Sequence, residues 1–271
     1  MAGEPDWVPP DVDTKRANVA RVYDYLLGGS HNFLPDQDLA RAIVAVEPNM
    51  RAMARANRAF LGRAVRFLAG AGIRQFLDVG SGIPTEGNVH EVAQRAAPGA
   101  HVVYADIDPV AVAHSKAILA GNASAAVIEA DLREPEKILT HQTVEPLIDF
   151  SQPAGLLLVA VLHFIADAED PWRIVATLRD ALAPGSYLVL CHGTDEGKPT
   201  MARAAEKVYN RGATTNLHIR SRAEILRLFQ GFDLVDPGLV PIPQWRPDSP
   251  AGLAADPSKF WGGFVGVGQK T

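Results

Sequence analysis

Phe76-Leu77-Asp78-Val79-Gly80-Ser81-Gly82-Ile83-Pro84-Thr85-Glu86-Gly87-Asn88 decides how this chain is read. The opening residues predict a short buried strand with an acid near its end. A tight Gly-x-Gly turn follows and opens into a helix. That is the build of a nucleotide-type cofactor site at the carboxyl edge of a parallel sheet. Glycine lets the backbone approach a ligand with no Cβ in the way. Gly-x-Gly also serves purely structural strand-to-helix turns, so the acid and the clustering of turn residues carry the argument.

Two ligand classes compete for such a turn. A dinucleotide fingerprint is Gly-x-Gly-x-x-Gly and brings a pyrophosphate to a helix N-terminus. Here Thr85 stands at the third glycine position, and Asp78 would place negative charge beside the pyrophosphate. S-adenosylmethionine carries no phosphate but has a cationic sulfonium and an ammonium, and Asp78 with Gly80 and Gly82 suits it better. An NAD-dependent oxidoreductase is the disfavoured alternative.

The 271 residues fit one α/β domain with an extension, or two small domains. A hydrophobic content of 47% is that of a soluble globular chain, and the net charge of −5 argues against bulk attraction to nucleic acid or anionic membrane. The lone Cys191 allows no internal disulfide and suits a reducing cytoplasm. Residues 1–10 lack the pattern of a signal peptide, and the apolar run from Gly155 to Leu162 is too short to span a bilayer. The expectation is a cytoplasmic protein with no membrane partner. Charge is uneven: Arg41, Arg51, Arg55, Arg58, Arg63, Arg66 and Arg74 face only Glu47 within 41–74. That segment reads either as a solvated helix face or as a basic surface that draws an acidic substrate or partner.

Along the chain, Thr14 is the expected cap of a helix to Leu27, ended by Gly28-Gly29, and Asp36 the cap of a second over 39–46. A longer helix from Asn49 ends at Gly70-Ala71-Gly72. Strands then alternate with helices: strands over 75–79, 101–106, 126–131, 155–162 and 186–191, with later strands near 232–235 and 263–267. Pro237 to Pro257 reads as an ordered surface excursion or a mobile loop. The organisation expected is a helical extension or lid over 1–72 and a cofactor-binding domain over 73–271.

Asp78-Val79-Gly80-Ser81-Gly82 and Tyr104-Ala105-Asp106-Ile107-Asp108-Pro109 resemble a class I S-adenosylmethionine-dependent methyltransferase. Three segments narrow this to the bacterial S-adenosyl methyltransferase family, formerly a domain of unknown function. They are Arg21 to Gly29 (RVYDYLLGG), Asn57 to Leu61 (NRAFL) and Gly80 to Asn88 (GSGIPTEGN). The resemblance extends from about Ala17 to Gly268. It implies a Rossmann-like seven-stranded sheet with the last strand antiparallel, S-adenosylmethionine as methyl donor and S-adenosylhomocysteine as product. It also implies that Asp78, Gly80 and Gly82 contact the methionine end, that Ser81 and Thr85 belong to the same cofactor site, and that Asp106 takes the ribose, with Ile107 beside it. Asp108-Pro109 reads more naturally as a helix cap. Asp131 would take the adenine amino group, Leu132 would pack on the ring, and Val161 would line the methyl-transfer position. Tyr23, Gly28, Gly29, His31, Asn32 and Phe33 either fold over the cofactor or form a helix C-cap and packed loop.

Methyl transfer is a direct displacement that depends on alignment and water exclusion, with a base needed only if the acceptor must lose a proton. His163 is the leading candidate base, or else a histidine of the pocket wall; Tyr23, His31 and His192 are weaker candidates. Val161-Leu162-His163-Phe164 lacks the polar signature that holds amino substrates, which disfavours adenine or glutamine N-methylation. No histidine or cysteine spacing suggests a metal site. The expected function is methyl transfer to a small-molecule acceptor, with a non-catalytic S-adenosylmethionine-binding regulator as the alternative. A nucleic-acid methyltransferase is disfavoured by the overall acidity.

Overall fold

Alternation of apolar residues builds the sheet. Phe76, Val102, Leu157 and Val189 pack on one face, while Leu77, Val103, Leu156, Leu158, Leu188 and Leu190 pack on the other. Strands buried on both faces are those of a parallel sheet covered by helices. The computed structural model describes residues 12–84, 87–249 and 262–271. Its parallel strands are β1 (Gln75–Val79), β2 (His101–Asp106), β3 (Ala125–Glu129), β4 (Gly155–Val159) and β5 (Tyr187–Gly193). The remaining strands are β6 (Asp233–Leu234), β7 (Val240–Pro241) and β8 (Gly263–Gln269).

The order across the sheet is β3-β2-β1-β4-β5-β8-β6, with β8 antiparallel to β5, and β7 also pairs with β8. Among the described residues the sheet therefore has eight strands in seven positions. β6 pairs with Gly268 and Gln269, and β7 pairs with Phe264 and Val265 on the same side, so two short strands share the outer edge. Sequence reading missed β7 because a two-residue strand containing Pro241 leaves no periodic signal. It also treated the following segment as surface. Trp245 is instead fully buried, edge-on to Phe60 at 5.5 Å and Phe67 at 5.7 Å. The described part of the proline-rich excursion thus sends Leu239, Ile242 and Trp245 into the core while Pro237, Arg246 and Asp248 stay exposed, and residues 250–257 lie outside the described residues.

The helices are α1 (Val19–Leu27), α2 (Leu34–Val46), α3 (Met50–Gly70), α4 (Val89–Ala96), α5 (Pro109–Ile118), α6 (Pro135–Leu139), α7 (Pro171–Ala181), α8 (Pro199–Gly212) and α9 (Arg222–Arg227). α3 buries Phe60, Ala64, Val65 and Leu68 against the sheet, while Ala54 nearer its start joins a second cluster with Val22, Leu26, Ile43 and Tyr209. That cluster gathers α1, α2 and α8 into a roof.

Two helix starts differ from expectation. Asn18, not Thr14, caps α1, accepting from Ala20 N–H at 2.8 Å. α2 begins at Leu34, and Asp36 sits within its first turn, where one oxygen accepts Phe33 N–H at 2.7 Å and the other Asn18 N–H at 2.8 Å. The buried Arg21 pairs with the same carboxylate at 3.2 Å. One acid thereby ties the starts of both roof helices, and no local pattern announces that.

Candidate active site

β1 and β4 are neighbours from which the chain leaves in opposite directions, and ligands bind at such switch points beyond the strand ends. Gly80 follows β1 with φ +73°, and its N–H donates to Ala105 O at 2.8 Å. A Cβ here would collide with the Val161 side chain, so packing as well as conformation demands glycine. Gly82 has φ +68° and donates its N–H to Asp106 Oδ2 at 2.7 Å. Across the crevice Ala160 adopts φ +60°, a costly conformation for a residue with a Cβ. Asp106 Oδ1 accepts from Asp108 N–H at 2.9 Å, while Asp108 caps α5 through Val110 N–H at 2.8 Å. Asp106 lines the crevice; Asp108 holds the helix.

A cavity of about 320 Å³ opens from this crevice, a size typical of small-molecule sites. Asp78, Gly80, Ser81, Gly82, Asp106, Ile107, Asp131, Leu132 and Val161 all line it. The other half is walled by roof residues, among them Val22, Leu26, Ile43, Met53 and Tyr209, together with Phe164. Thr85 lies outside the described residues. Gly28, Gly29, His31, Asn32 and Phe33, which read either as a cover over the cofactor or as a helix cap and packed loop, are not part of the wall. Gly28 ends α1 with φ +92°, and a Cβ on Gly29 would strike Asp24. The Asp24 carboxylate accepts from His31 N–H at 2.9 Å and Asn32 Nδ2 at 2.8 Å. Those residues form a helix cap and a packed loop.

Burial drives the electrostatics. It pushes the Asp78 carboxyl up to about 7, with Arg58 pulling it back and Asp106 adding to the rise. Burial likewise lifts Asp106 to about 6, against the N–H groups of Asp108 and Gly82. Ser81 Oγ, Arg58 Nη2 and Asn57 Oδ1 are buried with no hydrogen-bond partner, on residues that line the same cavity. Carboxylates short of a cation, unused donors and an open glycine backbone fit an adenosyl amino acid. Asp131 is bound to Arg133 at 2.8 Å.

The candidate bases are otherwise engaged. Tyr23 OH donates to Ala54 O at 3.1 Å and accepts from Asn57 Nδ2 at 2.9 Å, and burial pushes it up to about 12. His163 Nδ1 accepts Gly193 N–H at 3.3 Å, so in this tautomer Nε2 carries the proton. Burial, His192 and Arg220 hold His163 neutral, well below the usual histidine range. A neutral ring engaged at Nδ1 and resisting protonation is poorly suited to act as a base. His192 is locked between Gly193 O and Arg220 Nη1, at 2.7 and 2.8 Å. Burial lifts the Cys191 thiol to about 12 and leaves it unreactive. Among the described residues no group of three or more His, Cys, Asp or Glu is placed to hold a metal ion, and no helix is long and apolar enough to cross a membrane.

The family described as S-adenosyl methyltransferase matches residues 5–271. The chain belongs to that family. A solved structure from Thermobifida fusca YX, provisionally described as a methyltransferase, is similar at 44% identity and a TM-score of 0.92, covering 98% of this chain and 100% of its own. A DUF574 family protein from Streptomyces avermitilis MA-4680 is 36% identical with a TM-score of 0.91, covering 96% and 99%. An O-methyltransferase family protein from Burkholderia thailandensis, 16% identical with a TM-score of 0.52 over 92% of this chain and 70% of its own, shares the fold. No curated protein matches the chain. The cofactor of this methyltransferase family member is S-adenosylmethionine, as the family description and the chemistry of the crevice agree.

Sequence reading missed Asn57 and Arg58 as wall residues, although both stand in a segment that carried the family resemblance. The arginine run hid them. Arg41 pairs with Asp38 and Arg66 with Asp248, Arg51 donates to Tyr25 O, Arg63 holds Trp245 O at 2.9 Å, and Arg74 donates to Ala69 O. Most of the run is structural anchoring, and only Arg58 reaches the crevice.

Proposed function

We propose that the protein transfers a methyl group from S-adenosylmethionine to a small, largely apolar acceptor. The observation that carries this reading is the continuity of one cavity from the glycine turn to the apolar roof. When bound, the cofactor supplies an electrophilic methyl group on a sulfonium whose departure leaves a neutral thioether. In this reading Asp78 receives the ammonium, and Gly80, Ser81 and Gly82 present the turn to the methionine end. Asp106 keeps lone pairs for the ribose hydroxyls, Asp131 faces the adenine amino group, and Ile107 and Leu132 cover the ring. Val161 and His163 flank the reacting centre. Of the segment 1–72, the described residues from 12 onward join α8 in roofing the catalytic domain over 73–271 and exclude water, while the 28–33 loop stabilises that roof. Charged wall groups such as Glu47 and Lys198 are few beside the apolar ones, so the acceptor is recognised mainly by shape.

Neither Tyr23 nor His163 is placed as a base, so the reacting atom of the acceptor must ionise readily by itself or attack as a neutral group. The test is transfer of isotopically labelled methyl groups from the cofactor in presence of mixed small apolar compounds, protein and nucleic acid. Label should enter the organic-soluble fraction. Label in protein or nucleic acid, or failure of S-adenosylhomocysteine to bind, would overturn the reading.

A further inference from the structure

Arg58 projects from the middle of α3 and lines both the main cavity and a small adjoining crevice, which it shares with Asp78, Ser81 and Gly82. It forms no ion pair or hydrogen bond with any described residue, and its Nη2 is buried without an acceptor. A buried guanidinium nitrogen with no partner is costly and calls for an explanation. The simplest partner would be Asp78, yet no ion pair joins them. Nor does Arg58 neutralise that acid, whose carboxyl rises to about 7 despite it.

The two groups line the same small crevice with opposite charge. An α-amino acid carries its ammonium and its carboxylate on a single carbon, so its recognition needs an acid and a cation around that carbon. We propose that Arg58 is the carboxylate receptor for the methionine end of the cofactor, working with Asp78 as an acid–base pair that reads the zwitterion. This rests on the placement of S-adenosylmethionine at the glycine turn. It assigns the helical roof a share in cofactor recognition: α3 carries the cation, and the sheet carries the acid. A guanidinium is suited to the task because its planar fork meets a carboxylate with two parallel N–H donors.

The experiment compares calorimetric binding of S-adenosylhomocysteine and its decarboxylated analogue, S-adenosyl-3-thiopropylamine, to wild type and to Arg58→Met. A hydrogen-bonded charge pair is worth roughly tenfold to hundredfold in affinity. The wild type should prefer S-adenosylhomocysteine by about that factor, and Arg58→Met should bind both ligands alike, at the level of the analogue. Arg58→Lys, which keeps the charge, should recover part of the preference and serves if the methionine variant does not fold. Equal affinity of the wild type for both ligands would overturn the proposal, as would a preference that survives in Arg58→Met. Wild type that binds neither ligand would instead overturn the cofactor placement on which the proposal rests.

Discussion

Replacing Asp78 by Asn removes a charge from the crevice and keeps the shape. In the folded chain the carboxyl moves from its ordinary 3.8 up to about 7, chiefly through burial. Between those values the folded protein holds a proton that the unfolded chain has released. Its contribution to stability is therefore complete below about pH 4 and is lost as pH rises to about 7 and beyond. At about 1.4 kcal/mol per pH unit of difference, the loss approaches roughly 4 kcal/mol. An Asn is neutral in both states and has no such dependence. Its amide adds a desolvation cost of about 1–3 kcal/mol, but this does not vary with pH. The stability of Asp78→Asn relative to wild type should therefore climb by up to about 4 kcal/mol between pH 4 and pH 8. Urea unfolding of both ligand-free proteins across that range measures it. The variant should also bind S-adenosylhomocysteine at least about tenfold more weakly at pH 8, since a charge-assisted contact is gone. A stability difference that stays constant with pH would refute the argument, because it would mean that the buried carboxyl is not the group resisting ionisation.

Gly80→Ala must place a Cβ at φ +73° and against Val161, which should cost about 2–4 kcal/mol and weaken cofactor binding; a melting temperature within two degrees or so of wild type would contradict the packing argument. Tyr23→Phe loses the hydroxyl that links Ala54 O and Asn57, so stability should fall by about 1 kcal/mol with little change in kcat; a large drop in kcat at unchanged stability would put the phenol in the reaction. The ratio kcat/KM for the cofactor should fall as pH drops below 7, where Asp78 takes up its proton, while kcat stays flat from pH 6 to 8 because His163 is neutral throughout. A kcat inflection in that range that vanishes in His163→Gln would show His163 acting as a base.

The central fold was legible because the parallel strands are short apolar runs, although β4 ends at Val159 and not at 162, since the apolar residues after it enter a turn and a short helical segment. Gln75–Val79 and His101–Asp106 fall where the sequence predicts them. The Asp106 and Asp108 pair was also separable, since Asp-Pro before an apolar helix is a local capping signal. Other features depend on distant partners. Thr14 and Asn18 are both competent caps, and the choice follows from Asp36 accepting the Asn18 N–H and from Ala17 bridging to Ala213. Gly28-Gly29 reads equally as a lid hinge or a helix end. The carboxylate of Asp24, which fills the space a Cβ on Gly29 would need, decides it. Arg58 is one arginine among seven in its stretch, and only the fold shows that it lines the crevice with a buried Nη2 that lacks a partner.

The distribution of charge accounts for the division of labour in the cavity. Asp78, Asp106 and Arg58 gather at the sheet end, where a ligand with fixed charges must be held in one orientation. Roof residues such as Leu26, Ile43 and Met53 give the other end few groups that could stabilise an ion. A low-dielectric wall strengthens every unscreened charge interaction. A reaction that joins a sulfonium to an anionic oxygen or sulfur and yields two neutral products gains from such surroundings. A reaction that creates a new ammonium gains less, because acids such as Glu47 and Glu196 are few among the apolar groups that line that end. The same apolar wall that selects the acceptor by shape therefore also favours acceptors that arrive already able to shed a proton.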